Sequence, residues 1–150
     1  MNIALSCDHA GFALRETIIQ EIKFRGHNPI DLGTTSDAPV DYPDFAAMVA
    51  KTILSGKAER GIILCGSGIG ACITANKFRG IRAGTCHNTY SARQGVEHDA
   101  MNVLCMGARI IGPLLAQSIV AEYLNARFSE ETRHVRRVGK ISAIEDEQLK

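Results

Sequence analysis

The sequence has no tryptophan, only four prolines and 5% aromatic residues. It has no C-x-x-C pair, and its five cysteines (Cys7, Cys65, Cys72, Cys86 and Cys105) are odd in number. That excludes the usual disulfide framework and the zinc ribbon. Unpatterned thiols point to a reducing compartment, so a cytoplasmic location is expected. No apolar run approaches the roughly 20 residues of a membrane span. The opening Met1-Asn2-Ile3-Ala4-Leu5-Ser6 lacks a basic stretch and soon reaches Asp8, which argues against a signal peptide. Lys+Arg 17 against Asp+Glu 16 leaves a net charge of +1, so no global field draws in nucleic acid or an acidic membrane. What remains is the 45% apolar, 22% charged balance of a soluble globular chain, and 150 residues fit one domain over 1–150.

Apolar runs alternate with helical patterns. Strands are expected at Ile3–Cys7, Pro29–Leu32, Gly61–Cys65, Ile81–Thr85 and Asn102–Met106. Helices are expected from Phe12 to Gly26, Pro43 to Leu54, Ile69 to Phe78, Thr89 to Glu97 and Pro113 to Leu124, with a charged helical tail from Glu130. Gly61-Ile62-Ile63-Leu64-Cys65 is continuously apolar, as a strand covered on both faces requires. The pattern predicts an α/β fold: a five-stranded parallel sheet with helices on both faces. Ligands of such sheets bind beyond the carboxyl ends of the strands. That rule singles out Asp8-His9, the loop to Tyr42, Cys65 to Gly70, His87 and the turn around Arg109.

Four groups of residues carry chemistry. Cys65-Gly66-Ser67-Gly68-Ile69-Gly70-Ala71 offers open backbone N–H groups before a helix, suited to a phosphate, a carboxylate or a developing oxyanion. It is not a Walker A loop. It matches G-x-G-x-x-A, but it follows the third strand and no acid lies about 20 residues on, which counts against a dinucleotide. The positive end of a helix favours a thiolate over a thiol. Cys65 therefore reads either as a nucleophile or general base, or as a buried strand-end cysteine like Cys7 and Cys105. Asp8-His9 can orient a sugar or handle a proton; a helix cap would explain Asp8 but not His9. Glu97-His98-Asp99 supplies a second acid–base candidate, with a purely structural histidine as the alternative. Arg133 and Arg137 are i,i+4 on one helical face. They either share an anion such as phosphate or form a solvated basic face softened by Glu130 and Glu131. Val138, Ile141, Ile144 and Leu149 recur along the tail, and a partner subunit is the economical cover for them.

Together these residues resemble the family of ribose-5-phosphate isomerase B and the galactose-6-phosphate isomerase subunits. The match runs through Ser6-Cys7-Asp8-His9-Ala10-Gly11-Phe12, Asp41-Tyr42-Pro43, Cys65 to Gly70, and Ala75-Asn76-Lys77-Phe78-Arg79-Gly80-Ile81-Arg82-Ala83. It continues through Glu97-His98-Asp99, Asn102-Val103-Leu104, Gly107-Ala108-Arg109, Arg133-His134 and Arg137-Val138. The resemblance implies a Rossmann-like three-layer sandwich. It implies a homodimer with active sites at the subunit interface, sometimes doubled to a tetramer, the C-terminal helix packing on the partner. It also implies aldose–ketose isomerisation of a phosphorylated sugar through an enediolate, with neither metal nor other cofactor. Cys65 falls on the catalytic base, His98 on the residue assisting ring opening, Ser67 on the hydroxyl of the oxyanion turn, and Asp8 close to the sugar. Tyr42 matches a sugar contact. His9, Arg109, Arg133 and Arg137 match phosphate contacts, and the turn of Gly66, Gly68, Ile69 and Gly70 lies around the substrate. Many members carry Asn where this chain has Asp99, which bears on the sugar more than on the reaction. Ribose 5-phosphate is the leading substrate expectation. The alternatives are allose 6-phosphate, galactose 6-phosphate or a tetrose 4-phosphate, and a non-catalytic sugar-phosphate binding module.

Overall fold

The computed structural model describes residues 1–149. The strands are β1 (Asn2–Cys7), β2 (Asn28–Asp31), β3 (Arg60–Cys65), β4 (Ala83–Thr85) and β5 (Val103–Gly107). The helices are α1 (Phe12–Phe24), α2 (Tyr42–Leu54), α3 (Ile69–Ala75), α4 (Thr89–Asp99), α5 (Pro113–Asn125) and α6 (Thr132–Gln148). All strand pairs are parallel, in the order β2-β1-β3-β5-β4. The expected α/β sheet with helices on both faces is therefore present.

The two-residue period of a strand sorts the core into two layers. Ile3, Leu5, Ile62, Leu64, Leu104 and Met106 point to one face, under α1, α4 and α5. Ala4, Ile63, Cys65, Val103 and Cys105 point to the other, under α2 and α3. The second layer is built from smaller residues. Ala4 pairs with Gly61 across β1 and β3, and a Cβ on Gly61 would lie 2.4 Å from Val49 of α2. Polar groups that reach the core are satisfied: Ser6 Oγ donates to the Phe45 carbonyl at 3.1 Å, and the Tyr123 hydroxyl to Gly61 at 3.1 Å. Among the described residues no buried side-chain nitrogen or oxygen lacks a partner. Among the same residues no helix is long and apolar enough to cross a membrane.

Most element boundaries move by one or two residues from the sequence reading, and two of the shifts have a visible cause. α3 stops at Ala75 rather than Phe78, and β4 starts at Ala83 rather than Ile81. Two asparagines cause both changes. Asn76 bonds the N–H and the carbonyl of Ala83 (2.8 and 2.9 Å), and Asn102 takes the Arg82 N–H at 2.7 Å and donates to the Gly80 carbonyl at 2.8 Å. Side-chain amides thus hold the backbone that helix and ladder would otherwise have used.

α6 touches its own chain through α4, through Glu145 on the Gly80 N–H (3.0 Å) and through an Arg79–Asp146 ion pair. Ile141 is 44% and Ile144 62% exposed on this chain, which leaves the apolar side of the helix uncovered.

Candidate active site

The carboxyl ends of β1, β3 and β5 converge on an open cavity of about 340 Å³. Its lining includes Asp8, His9, Tyr42, Cys65, Gly66, Ser67, Gly70 and Arg109. The strand-end rule found all of these. It missed Ala10 and Ile110, which add apolar wall. Ile110 is 59% exposed on this chain, a large apolar side chain in a polar rim.

Each residue is placed by a local constraint. Asp8, buried beyond β1, accepts the Gly11 N–H at 2.9 Å and so ties the turn before α1 while facing the cavity; it does not cap the helix, whose N-cap is Gly11 with no side-chain bond. His9 Nδ1 accepts the Val40 N–H at 3.2 Å. In the neutral ring that bond places the proton on Nε2 and leaves it as a donor. Tyr42 opens α2, and its ring lies over Gly70, where a Cβ would come within 2.5 Å of it. Arg109 crosses Gly66 less tightly, its Nη1 3.4 Å from the site of a Cβ there.

Cys65 sits at the floor, 4% exposed, with Sγ accepting the Gly68 N–H at 3.1 Å. The turn can fold back to make that bond because Gly68 has φ +82°. Ser67 Oγ accepts the Ile69 N–H at 3.3 Å. Two N–H groups of the turn are thus engaged. Those of Gly66, Ser67 and Gly70 have no acceptor among the described residues and are free for a ligand. Gly68 and Ile69 shape the turn rather than line the cavity. His87 is a brace: its Nε2 accepts the Gly107 N–H at 2.8 Å and fixes the end of β5 against the turn.

His98, Asp99, Arg133 and Arg137 lie elsewhere on the chain. α4 starts at the carboxyl edge and runs back to the start of β5, about 16 Å for its 11 residues. Its last turn therefore sits at the amino edge of the sheet. There His98 stacks on His134 of α6, ring centroids 4.0 Å apart, and is held by Gln94 at 3.0 Å. His134 is buried, bonded to Ser129, and its pKa is lowered by desolvation and then by the neighbouring His98. Arg133 pairs with Glu131 at 2.9 Å, while Arg137 is exposed and has no ion pair among the described residues. Asp99 borders a different cavity, with Arg82, Cys86, Met101 and Ile141. One chain thus keeps the sequence-predicted residues in two separate groups: a cavity with a buried thiol, and a basic helix end with a histidine pair.

The thiols differ sharply. Burial pushes Cys7 and Cys86 up to about 11. Cys105, fully buried, is raised by its hydrogen bond to Cys72 and then by burial. Cys72 is drawn down to about 6, chiefly by that bond from Cys105, with Thr85 and Asn76 assisting against burial. It is also the most exposed of the five, half-buried where the others are buried. Iodoacetamide at pH 7 should accordingly label Cys72 well before Cys7, Cys86 or Cys105, as peptide mapping would show. Equal protection of Cys72 until unfolding would contradict the lowered pKa assigned to its thiol. A lowered pKa contributes stability that is full above the unfolded thiol value of 9.0 and is lost as pH falls through about 6. Among the described residues no group of three or more His, Cys, Asp or Glu side chains could hold a metal ion.

The sequence matches the family described as Ribose/Galactose Isomerase over residues 3–141. The chain belongs to the ribose/galactose isomerase family. As a member of it, the protein is an isomerase. It is 45% identical to ribose-5-phosphate isomerase B of Escherichia coli over 143 residues, 95% of each chain. It is 43% identical to the D-erythrulose-4-phosphate isomerase of Pectobacterium atrosepticum over 130 residues, 85% of each chain. Its structure superposes on Clostridium thermocellum ribose-5-phosphate isomerase B with TM-score 0.94 and 46% identity, covering 98% of this chain and 99% of the other.

Proposed function

We propose that this sugar-phosphate isomerase interconverts ribose 5-phosphate and ribulose 5-phosphate, with Cys65 as the base that carries the proton between C2 and C1. The observation that carries this reading is the position of the Cys65 sulfur. It lies on the floor of a cavity rimmed by hydroxyl, imidazole and guanidinium groups, beside N–H donors that have no acceptor of their own. The thiolate of Cys65 removes the C2 proton of the open-chain aldose. Electron density moves to the carbonyl oxygen, and the enediolate forms against the free N–H groups of Gly66, Ser67 and Gly70. The proton returns to C1, the O2 hydroxyl proton passes to O1, and C2 becomes the carbonyl of the ketose. Asp8 and Tyr42 orient the sugar, and His9 and Arg109 hold the phosphate, whose remote binding keeps C1 and C2 over the sulfur.

Ring opening requires a second acid–base group away from Cys65, and His98 lies too far along α4 to serve its own chain's cavity. We therefore assign His98, Arg133 and Arg137 to the cavity of a second copy of the chain, in a homodimer whose contact covers the exposed residues of α6. Two half-sites on one chain make two whole sites across a two-fold axis. Asp99, next to His98, would then face the far end of the sugar.

The Pectobacterium relative, at 43% identity, is named for a four-carbon substrate, which supports a second reading: the same chemistry on a tetrose 4-phosphate. Ketose formation from ribose 5-phosphate, allose 6-phosphate, galactose 6-phosphate and a tetrose 4-phosphate decides between them. The expected order puts ribose 5-phosphate first by at least about tenfold in kcat/KM, a gap of about 1.4 kcal/mol. A tetrose preference of that size would replace the substrate assignment, and binding of every sugar without turnover would replace the reaction.

A further inference from the structure

A second polar cavity, about 330 Å³, opens at the amino ends of the strands, on the opposite edge of the sheet from Cys65. Its walls are the start of β1, the turn between α1 and β2, the first residue of β3 and the end of α5. Arg25, His27, Arg60 and Arg127 line it, and no acidic residue does. For a chain of net charge +1 this is a concentrated cationic site.

Arg60 is its fixed point. The guanidinium lies over the Tyr123 ring at 5.4 Å and donates to the Tyr123 carbonyl and, at 2.7 Å, to the Ala126 carbonyl. Those end-of-helix carbonyls hold the rotamer before any ligand arrives, so little ordering cost remains. Burial and the Arg127 charge both work against the charge on Arg60. Arg127 itself is exposed and has no ion pair or side-chain hydrogen bond among the described residues. Arg25 commits its Nε to Glu21 at 2.7 Å, which leaves its terminal nitrogens free. The other nearby acid, Glu59, accepts the Asn2 N–H at 2.6 Å. The half-buried His27 ring is depressed by desolvation and by the surrounding cations. Like charges held together beside low-dielectric walls repel, and an anion between them reverses the sign of that interaction.

We propose that this cavity is a second anion site, taking a phosphate dianion, either free or as a small phosphate monoester, between Arg60 and Arg127. Nothing in the isomerase reading uses these residues, and the site lies a full sheet length from the thiol. The unpaired Arg127 fork, beside the Arg60 N–H bonds not spent on Tyr123 and Ala126, suits a tetrahedral dianion better than a single carboxylate.

The test follows the His27 ring resonances of the full-length protein by NMR while phosphate is added. Inorganic phosphate and glycerol 3-phosphate form separate arms, and the tighter of the two identifies the source. We expect saturable His27 shifts at millimolar phosphate, weakened at least about tenfold in Arg127→Gln and unchanged in Arg109→Ala. Isomerase kcat/KM of Arg127→Gln should stay within about twofold of the parent enzyme. A silent His27, or shifts that ignore Arg127→Gln, would overturn the proposal. Shifts lost in Arg109→Ala would overturn it too, because they would report phosphate binding at the other edge. Failure of the isomerase assignment would appear instead in the sugar panel, without moving His27.

Discussion

Cys65→Ala is expected to cut kcat for ketose formation by at least about a thousandfold, within the range a positioned general base contributes. KM should change little, because Asp8, His9, Tyr42 and Arg109 remain around an intact cavity. That split marks the loss of an interaction made in the transition state rather than in binding. Cys65→Ser should fare no better, since a hydroxyl is a far weaker base at neutral pH. The fold should tolerate the alanine: one sulfur is removed from a 4%-exposed site, a void worth on the order of 1 kcal/mol. Incubation in deuterated water supplies the direct readout. The parent enzyme should incorporate deuterium at C2 of the aldose and the variant should not. Activity within tenfold of the parent would remove Cys65 from the mechanism.

Gly11→Ala should act through stability instead. A Cβ at Gly11 would lie 2.2 Å from the Leu64 carbonyl oxygen and 2.4 Å from its carbon. Leu64 belongs to the central strand, bonded to its neighbours on both sides, so it cannot retreat. The clash is with backbone, and we expect a loss of about 3 kcal/mol or more, at the upper end for overpacking. For a chain of this size that lowers Tm by roughly 6 to 12 °C. The turn that carries Asp8 and His9 shifts with it, since Asp8 accepts the Gly11 N–H. Gly112→Ala is the control. Nothing lies within 4 Å of its Cβ, and the change costs at most about 1 kcal/mol as a weaker helix cap. Equal melting temperatures for the two variants would contradict the packing described at Leu64.

The α/β architecture was legible because the signals were local. The run Gly61–Cys65 has no polar residue to expose, so it belongs to a central strand, and the residues after it fall at the carboxyl edge. The same logic located Asp8, His9 and Arg109. Features set by contacts between distant residues were not legible. Asn76 and Asn102 redraw the ends of α3 and β4 through bonds that no periodicity encodes. Cys72 differs from the buried cysteines chiefly through Cys105, 33 positions on, with Thr85 and Asn76 adding to the effect. His87, read as an edge residue, turned out to brace Gly107. His98 precedes a strand rather than following one, and the direction of α4 carries it away from Cys65. Family resemblance grouped His98 with Cys65; the geometry of one chain separates them, and the proposed homodimer would reunite them.

That reunion is open to one decisive measurement. Cys65→Ala and His98→Ala chains are co-expressed with different tags, and the hybrid dimer is isolated through both. If the thiol of one chain works with the histidine of the other, each hybrid holds one whole site and one site lacking both groups. Its activity should be about half that of the parent dimer, although each variant alone is nearly inactive. If Cys65 and His98 serve the same chain, every site in the hybrid lacks one of them. A hybrid no more active than the two variants alone would contradict the shared site.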